Sequence, residues 1–137
     1  MATAAEQAGV SVAEDWLAVV DAADYERSWE LTASNFKAGV CEPDFFKSGI
    51  SKREWRSALS MVRDSLGKAL LRRLKSKRLT TQLDWEPPAD YVVLEYETTF
   101  ERQTVRTEIV ILMKESDGEW RVSGYRFKPD TSNQVLR

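Results

Sequence analysis

The chain contains no histidine among its 137 residues. This removes the side chain most often used as a general base near neutral pH, and the most frequent metal ligand. A serine–histidine triad and any histidine-containing zinc site are therefore excluded within one chain. Cys41 is the only cysteine, so an intrachain disulfide, a cysteine-rich zinc site and an iron–sulfur cluster are excluded too. Cys41 has no histidine to activate it; as a nucleophile it would need a nearby lysine or a helix N-terminus. The six glycines are scattered singly, without a phosphate-loop or dinucleotide-binding pattern. No apolar run approaches the roughly 20 residues of a membrane span. No metal, cofactor or catalytic residue is expected from these motifs.

Charge is also scarce in net terms, at −2. The molecule as a whole has no basic field to hold nucleic acid. Met1 to Gly9 is rich in alanine but lacks the basic start and apolar centre of a signal peptide. One cysteine fits a reducing compartment without excluding an oxidising one. Two locations stay open: the cytoplasm, or export after loss of a leader. Nucleic acid and membrane are not expected partners of the chain as written.

What is present is a change of rhythm near residue 84. Before it the chain reads as amphipathic helices. Ser11 and Glu14 form a capping-box pattern, and Val12, Trp16, Leu17 and Val20 follow at helical spacing, which predicts a first helix over Val12 to Ala23. Asp24 can cap a second helix carrying Tyr25, Trp29 and Phe36. Gly39 to Gly49, with Pro43, reads as a loop. Ser51 and Glu54 repeat the capping pattern ahead of Trp55, Ala58, Leu59, Val62 and Leu66, and Gly67 is a natural stop for this third helix. Residues 1–10 are expected to form a flexible lead, residues 11–127 one α+β domain, and residues 128–137 a flexible tail.

After residue 84 three strands follow in quick succession: Tyr91 to Phe100, Thr104 to Lys114 and Glu119 to Phe127. A weaker strand is predicted from Arg72 to Leu83. The short connections, with Asp117 and Gly118 in the last turn, imply antiparallel pairing. In the Tyr91 strand, Val92, Leu94, Tyr96, Thr98 and Phe100 point one way. Tyr91, Val93, Glu95, Glu97 and Thr99 point the other. Helices can cover only one face of such a sheet. The opposite face is expected to carry Glu95, Glu97, Arg106 and Glu108 beside the apolar Tyr91, Val93, Val110, Leu112, Tyr125 and Phe127. Two covers fit that patch: the chain's own tail, or a second copy. A homodimer is the preferred expectation, with Val93, Val110, Leu112, Tyr125 and Phe127 on its face.

Three segments carry a family resemblance: "DWLAVVDAADYERSW", "WRSALSMVRDSLGKALLRRLKSKRLTTQL" and "DYVVLEYETTFERQTVRTEIVILMKESDGEWRVSGY". Over about Ala13 to Phe127 the chain resembles a bacterial domain-of-unknown-function family, number 4019, which is similar to the nuclear-transport-factor-2-like (cystatin-like) superfamily. The pieces from Trp16 to Trp29 and from Asp117 to Tyr125 are the most specific. The resemblance implies three N-terminal helices packed on one face of a curved four-stranded antiparallel sheet, forming a cone with a pocket at its mouth. It implies that many relatives are exported or membrane-anchored. It carries over no catalytic residue. The superfamily holds isomerases, dehydratases and epoxide hydrolases beside non-enzymatic binders, so the fold alone decides no function.

If Val92, Leu94 and Phe100 face the helices, so does Tyr96, whose hydroxyl then needs a partner. Tyr96, Leu94, Phe100 and Trp120 are accordingly the expected pocket residues, with a packed tyrosine as the plainer reading of Tyr96. Glu95, Glu97 and Glu108 are expected to face away, which weakens them as bases. The basic run Lys68, Arg72, Arg73, Lys75, Lys77 and Arg78 lacks the aromatics that stack on bases; it reads as an edge strand partly neutralised by cross-strand glutamates. The expected function is a non-enzymatic binding or interaction module with a small apolar pocket, self-associating through the sheet. The alternative is a pocket enzyme of isomerase, dehydratase or hydrolase type that uses a carboxylate and a tyrosine.

Overall fold

A computed structural model of the chain describes residues 3–37, 52–83, 88–102 and 104–128. The expected loop 39–49, Ser51, Cys41 and the tail beyond Lys128 lie outside these residues. Four helical segments are found among them: α1 (Ala4–Asp21), α2 (Tyr25–Glu30), α3 (Ser34–Lys37) and α4 (Lys52–Leu66). Four strands follow: β1 (Ala69–Thr80), β2 (Tyr91–Phe100), β3 (Thr104–Lys114) and β4 (Trp120–Phe127). The strands form one antiparallel sheet in the order β1-β2-β3-β4.

The first helix starts at Ala4, eight residues before the predicted Val12. The working capping box is Thr3 with Glu6, each side chain meeting the other's backbone N–H, and it satisfies donors that a helix start otherwise leaves bare. Ser11 and Glu14, read as the cap, sit within the helix. Residues 4–10, expected as a flexible lead, are its first two turns, and Gly9 lies so close to the sheet that a Cβ there would stand 2.9 Å from Val92 Cγ1. Asp24 caps α2 as expected, accepting from the backbone N–H of Arg27. Phe36 belongs to the separate turn α3. Gly67, at φ +79°, ends α4 in the left-handed region where glycine carries no Cβ penalty. The chain passes directly into β1, which therefore begins at Ala69 rather than Arg72.

All the helices lie on one side of the sheet, with α1 across all four strands and α4 packed on α2. Between them and the sheet lie Trp16, Leu17, Val20, Phe36, Trp55, Leu59, Val92, Leu94, Val110, Leu112, Val122 and Tyr125, all buried. Ser28 ties the aromatic centre together: its carbonyl accepts from Trp16 Nε1 at 2.8 Å and its hydroxyl oxygen from Trp55 Nε1 at 3.0 Å. The rings of Trp16 and Tyr125 meet edge-on at 5.1 Å, and those of Phe36 and Trp55 at 5.3 Å. Such contacts add to the burial of large apolar surfaces. Among the described residues these side chains pack the space between α1, α4 and the middle of the sheet.

The alternation predicted for β2 is correct, but the side assigned to β3 is reversed. Leu94 pairs with Val110 and Val92 with Leu112, so Val110, Leu112 and Glu108 face the helices. In β4 a register shift opposite Ile111 and Leu112 moves the chain by one residue. Val122, Tyr125 and Phe127 thereby share the helix side, which a strict period of two would forbid. Four of the five expected dimer-face residues (Val110, Leu112, Tyr125 and Phe127) thus belong to the core or pack against it. Only Val93 lies on the outer face. There Tyr91, Ile109 and Ile111 are buried within the single chain, with Leu83, Ala89, Val93 and Met113 against them.

Candidate functional site

The helix side of the sheet carries one chain of alternating charge. Arg63, on α4 and 5% exposed, donates from Nη2 to Asp21 Oδ1 at 2.9 Å. Asp21, at the end of α1, accepts from Arg72 Nη1 at 2.7 Å and Nη2 at 3.1 Å. Arg72, on β1, donates from Nε to Glu108 Oε1 at 2.7 Å and from Nη2 to Oε2 at 3.3 Å. Glu108, on β3, is fully buried and also accepts from the hydroxyls of Thr98 and Tyr125. The expectation that Glu108 faces away is overturned: the register sets it opposite Tyr96, on the helix side. Its burial is tolerated because a guanidinium and two hydroxyls occupy its oxygens.

The electrostatics follow from these contacts. Burial alone would push the Asp21 carboxyl up, but the guanidiniums of Arg72 and Arg63 outweigh it and hold Asp21 below the usual carboxylate range. Arg72 is partly buried, yet Asp21 and Glu108 hold it more firmly protonated than usual. Burial first, and then the neighbouring Glu108, raise the Tyr125 phenol well above its ordinary value.

Beside this chain lies a pocket of about 340 Å³. Helix α1 supplies Glu14, Leu17, Ala18 and Asp21, strand β1 supplies Arg72 and Leu74, and β2 supplies Tyr96. Glu14, Ala18 and Asp21 reach one wall because residues three, four and seven apart share a helix face. Tyr96 is 2% exposed, and its buried hydroxyl has no hydrogen-bond partner among the described residues. Burial, then the charge of Glu14, pushes its ionisation up to about 12. Of the expected pocket residues, Tyr96 is in this wall. Leu94 and Phe100 lie in the closed core, and half-buried Trp120 packs on its edge. A second depression of about 470 Å³ between the ends of β1 and β2 is lined, among the described residues, by Thr81, Gln82, Leu83, Pro88, Ala89 and Asp90, of which Asp90 alone is charged.

Sequence reasoning missed Asp21, Arg63 and Glu14. Asp21 and Glu14 carried one signal, a seven-residue spacing on the face of a predicted helix. The basic run of β1 divides as expected in part: Arg73 and Lys75 pair with Glu97 across the strands, and Arg72 with Glu108. Glu95 pairs instead with Lys128. Among the described residues no cluster of potential metal ligands is found, and no described helix is long and apolar enough to cross a membrane.

The architecture, helices across one face of a bent four-stranded meander, is that of the nuclear-transport-factor-2-like class. A protein from Catenulispora acidiphila, solved in complex with S-DNPA, matches with a TM-score of 0.61 at 14% identity, covering 98% of this chain and 100% of that one. A protein from Shewanella frigidimarina described as a candidate ketosteroid isomerase matches with a TM-score of 0.55 at 16% identity over 88% and 94%. Aln2 from a Streptomyces species matches with a TM-score of 0.59 at 10% identity over 100% and 99%. These likenesses concern the fold. Within the class, the chain belongs to the family described as "Protein of unknown function (DUF4019)", whose model matches residues 12–125. Among curated proteins none matches this chain.

Proposed function

We propose that this protein is a small-molecule binding module whose site is the pocket between α1, β1 and β2. The observation that carries this reading is Tyr96: a nearly inaccessible hydroxyl without a partner, in the wall of a pocket. A buried polar group left unpaired is costly, and a ligand at this wall would relieve that cost. Leu17, Ala18 and Leu74 offer an apolar lining, and a few polar groups converge on it, as small-ligand sites generally require. The Catenulispora relative solved with a small molecule supports the idea that the scaffold can host one.

The enzyme alternative draws on a buried acid bonded to a tyrosine, Glu108 with Tyr125, in a fold shared with a candidate ketosteroid isomerase. A general base needs a free lone pair directed at its substrate. Arg72, Thr98 and Tyr125 already donate to both oxygens of Glu108, which favours binding over proton transfer. Ala18→Trp plugs the pocket from an exposed helix position, where substitutions typically shift Tm by only about 2 °C. Native mass spectrometry of the wild type, incubated with a small-molecule library, should find a one-to-one complex that Ala18→Trp loses. If the two proteins retain the same compounds, the reading is wrong.

A further inference from the structure

The charges around the pocket restrict what it can hold, and this inference rests on the binding reading above. Among the described residues Arg72 is the only cation in the wall, and its donors are committed: Nε to Glu108 at 2.7 Å, Nη1 to Asp21 at 2.7 Å, and Nη2 to both, at 3.1 and 3.3 Å. A guanidinium has five N–H groups, so little of this one is left to receive an anion. Glu14 is exposed and makes no ion pair among the described residues. Among the described residues, counting Glu14, Asp21 and Glu108 against Arg63 and Arg72 leaves one negative charge in excess, and Glu14, exposed and lining the pocket, carries it. Tyr96 is 2% exposed as a residue, and its hydroxyl, without a partner among the described residues, is a neutral group able to accept or donate a hydrogen bond.

We propose that the pocket selects a small organic cation, a protonated amine on an apolar body, with Glu14 and Tyr96 receiving the ammonium and Leu17, Ala18 and Leu74 holding the body. A carboxylate or phosphate would meet the unpaired charge of Glu14 and an arginine already occupied. A neutral analogue would keep the apolar contacts but lose the ion pair. The ammonium N–H groups suit both polar partners at once, since a carboxylate and a neutral phenol oxygen both accept.

The test uses matched probes on three skeletons (phenylethyl, cyclohexylmethyl and hexyl), each ending in an ammonium, a hydroxyl or a carboxylate. Affinities are measured by isothermal titration calorimetry at pH 7 in low salt. At least one skeleton should bind as the ammonium about tenfold more tightly than as the alcohol, and more tightly still than as the carboxylate. Glu14→Gln, an exposed substitution that keeps shape, should erase that preference. Tyr96→Phe should weaken the ammonium about fivefold, and added salt should shrink the gap. Equal binding of ammonium and alcohol, or a preferred carboxylate, overturns the cation while leaving the pocket reading in place. Failure of all nine probes to bind at millimolar concentration overturns both.

Discussion

Two tyrosines on the helix side of the sheet have the same chemistry and opposite situations. Tyr125 donates its hydroxyl hydrogen to Glu108, whereas the Tyr96 hydroxyl has no partner among the described residues. A hydrogen bond to a charged group is worth more than one between neutral groups, and its loss leaves the charge under-satisfied. Tyr125→Phe is therefore expected to cost about 2 kcal/mol in urea denaturation. Tyr96→Phe removes a buried orphan and should leave stability unchanged or raise it by about 1 kcal/mol. Equal losses in the two variants would mean that Tyr96 has a partner of its own. The position of Tyr96 was legible in advance, because Val92, Leu94 and Phe100 alternate with it on one strand and all are buried. Its lack of a partner was not, since that depends on what α1 and β1 bring beside it. Glu108 was misread for a related reason: the faces of β3 were assigned in reverse, and the arginine that reaches this acid comes from β1, far away in sequence.

Among the elements, legibility followed the contrast between faces. β2 has one apolar face and one mixed face, so its orientation could be read. β3 is apolar on both: Ile109, Ile111 and Met113 on one side, Val110 and Leu112 on the other. Period two alone cannot then choose the inward side, and the pairing of Phe100 with Thr104 decides it. In β4 the register shift beside Leu112 breaks the period itself, and no residue type announces it. The helices were legible in kind but not in extent, because both Thr3 with Glu6 and Ser11 with Glu14 satisfy the same capping pattern. The consequence for Leu112 is measurable. On an outer dimer face, Leu112→Arg would yield a folded monomer. Leu112 is instead fully buried in the core, where an unpaired guanidinium costs more than a small domain's margin of stability. The variant is expected to lose its cooperative thermal transition and native circular dichroism. A folded Leu112→Arg protein with a smaller hydrodynamic radius would restore the dimer face.

At the scale of the whole molecule, the charge chain from Arg63 through Asp21 and Arg72 to Glu108 joins α4, α1, β1 and β3, and Thr98 and Tyr125 bring in β2 and β4. A net charge of −2 gave no hint of it, because its members are far apart in sequence and meet only through the fold. Asp21 is its central link, accepting from two arginines on different elements. Burial opposes its ionisation, but those guanidiniums prevail and set its folded pKa below the ordinary 3.8. A depressed carboxyl contributes stability that is complete above its unfolded pKa and disappears as pH falls through the folded one, because the unfolded chain takes up the proton first. Asp21→Asn should therefore be less stable than wild type by about 2 kcal/mol at pH 7. The gap should close on acidification, beginning near pH 4, as the wild-type carboxyl is itself neutralised. Urea denaturation of both proteins at neutral pH and at successive steps below pH 4 measures this directly. A gap that stays constant across the series would assign Asp21 a role in shape or hydrogen bonding alone. A gap that closes would make this carboxylate the point at which acid uncouples the helices from the sheet.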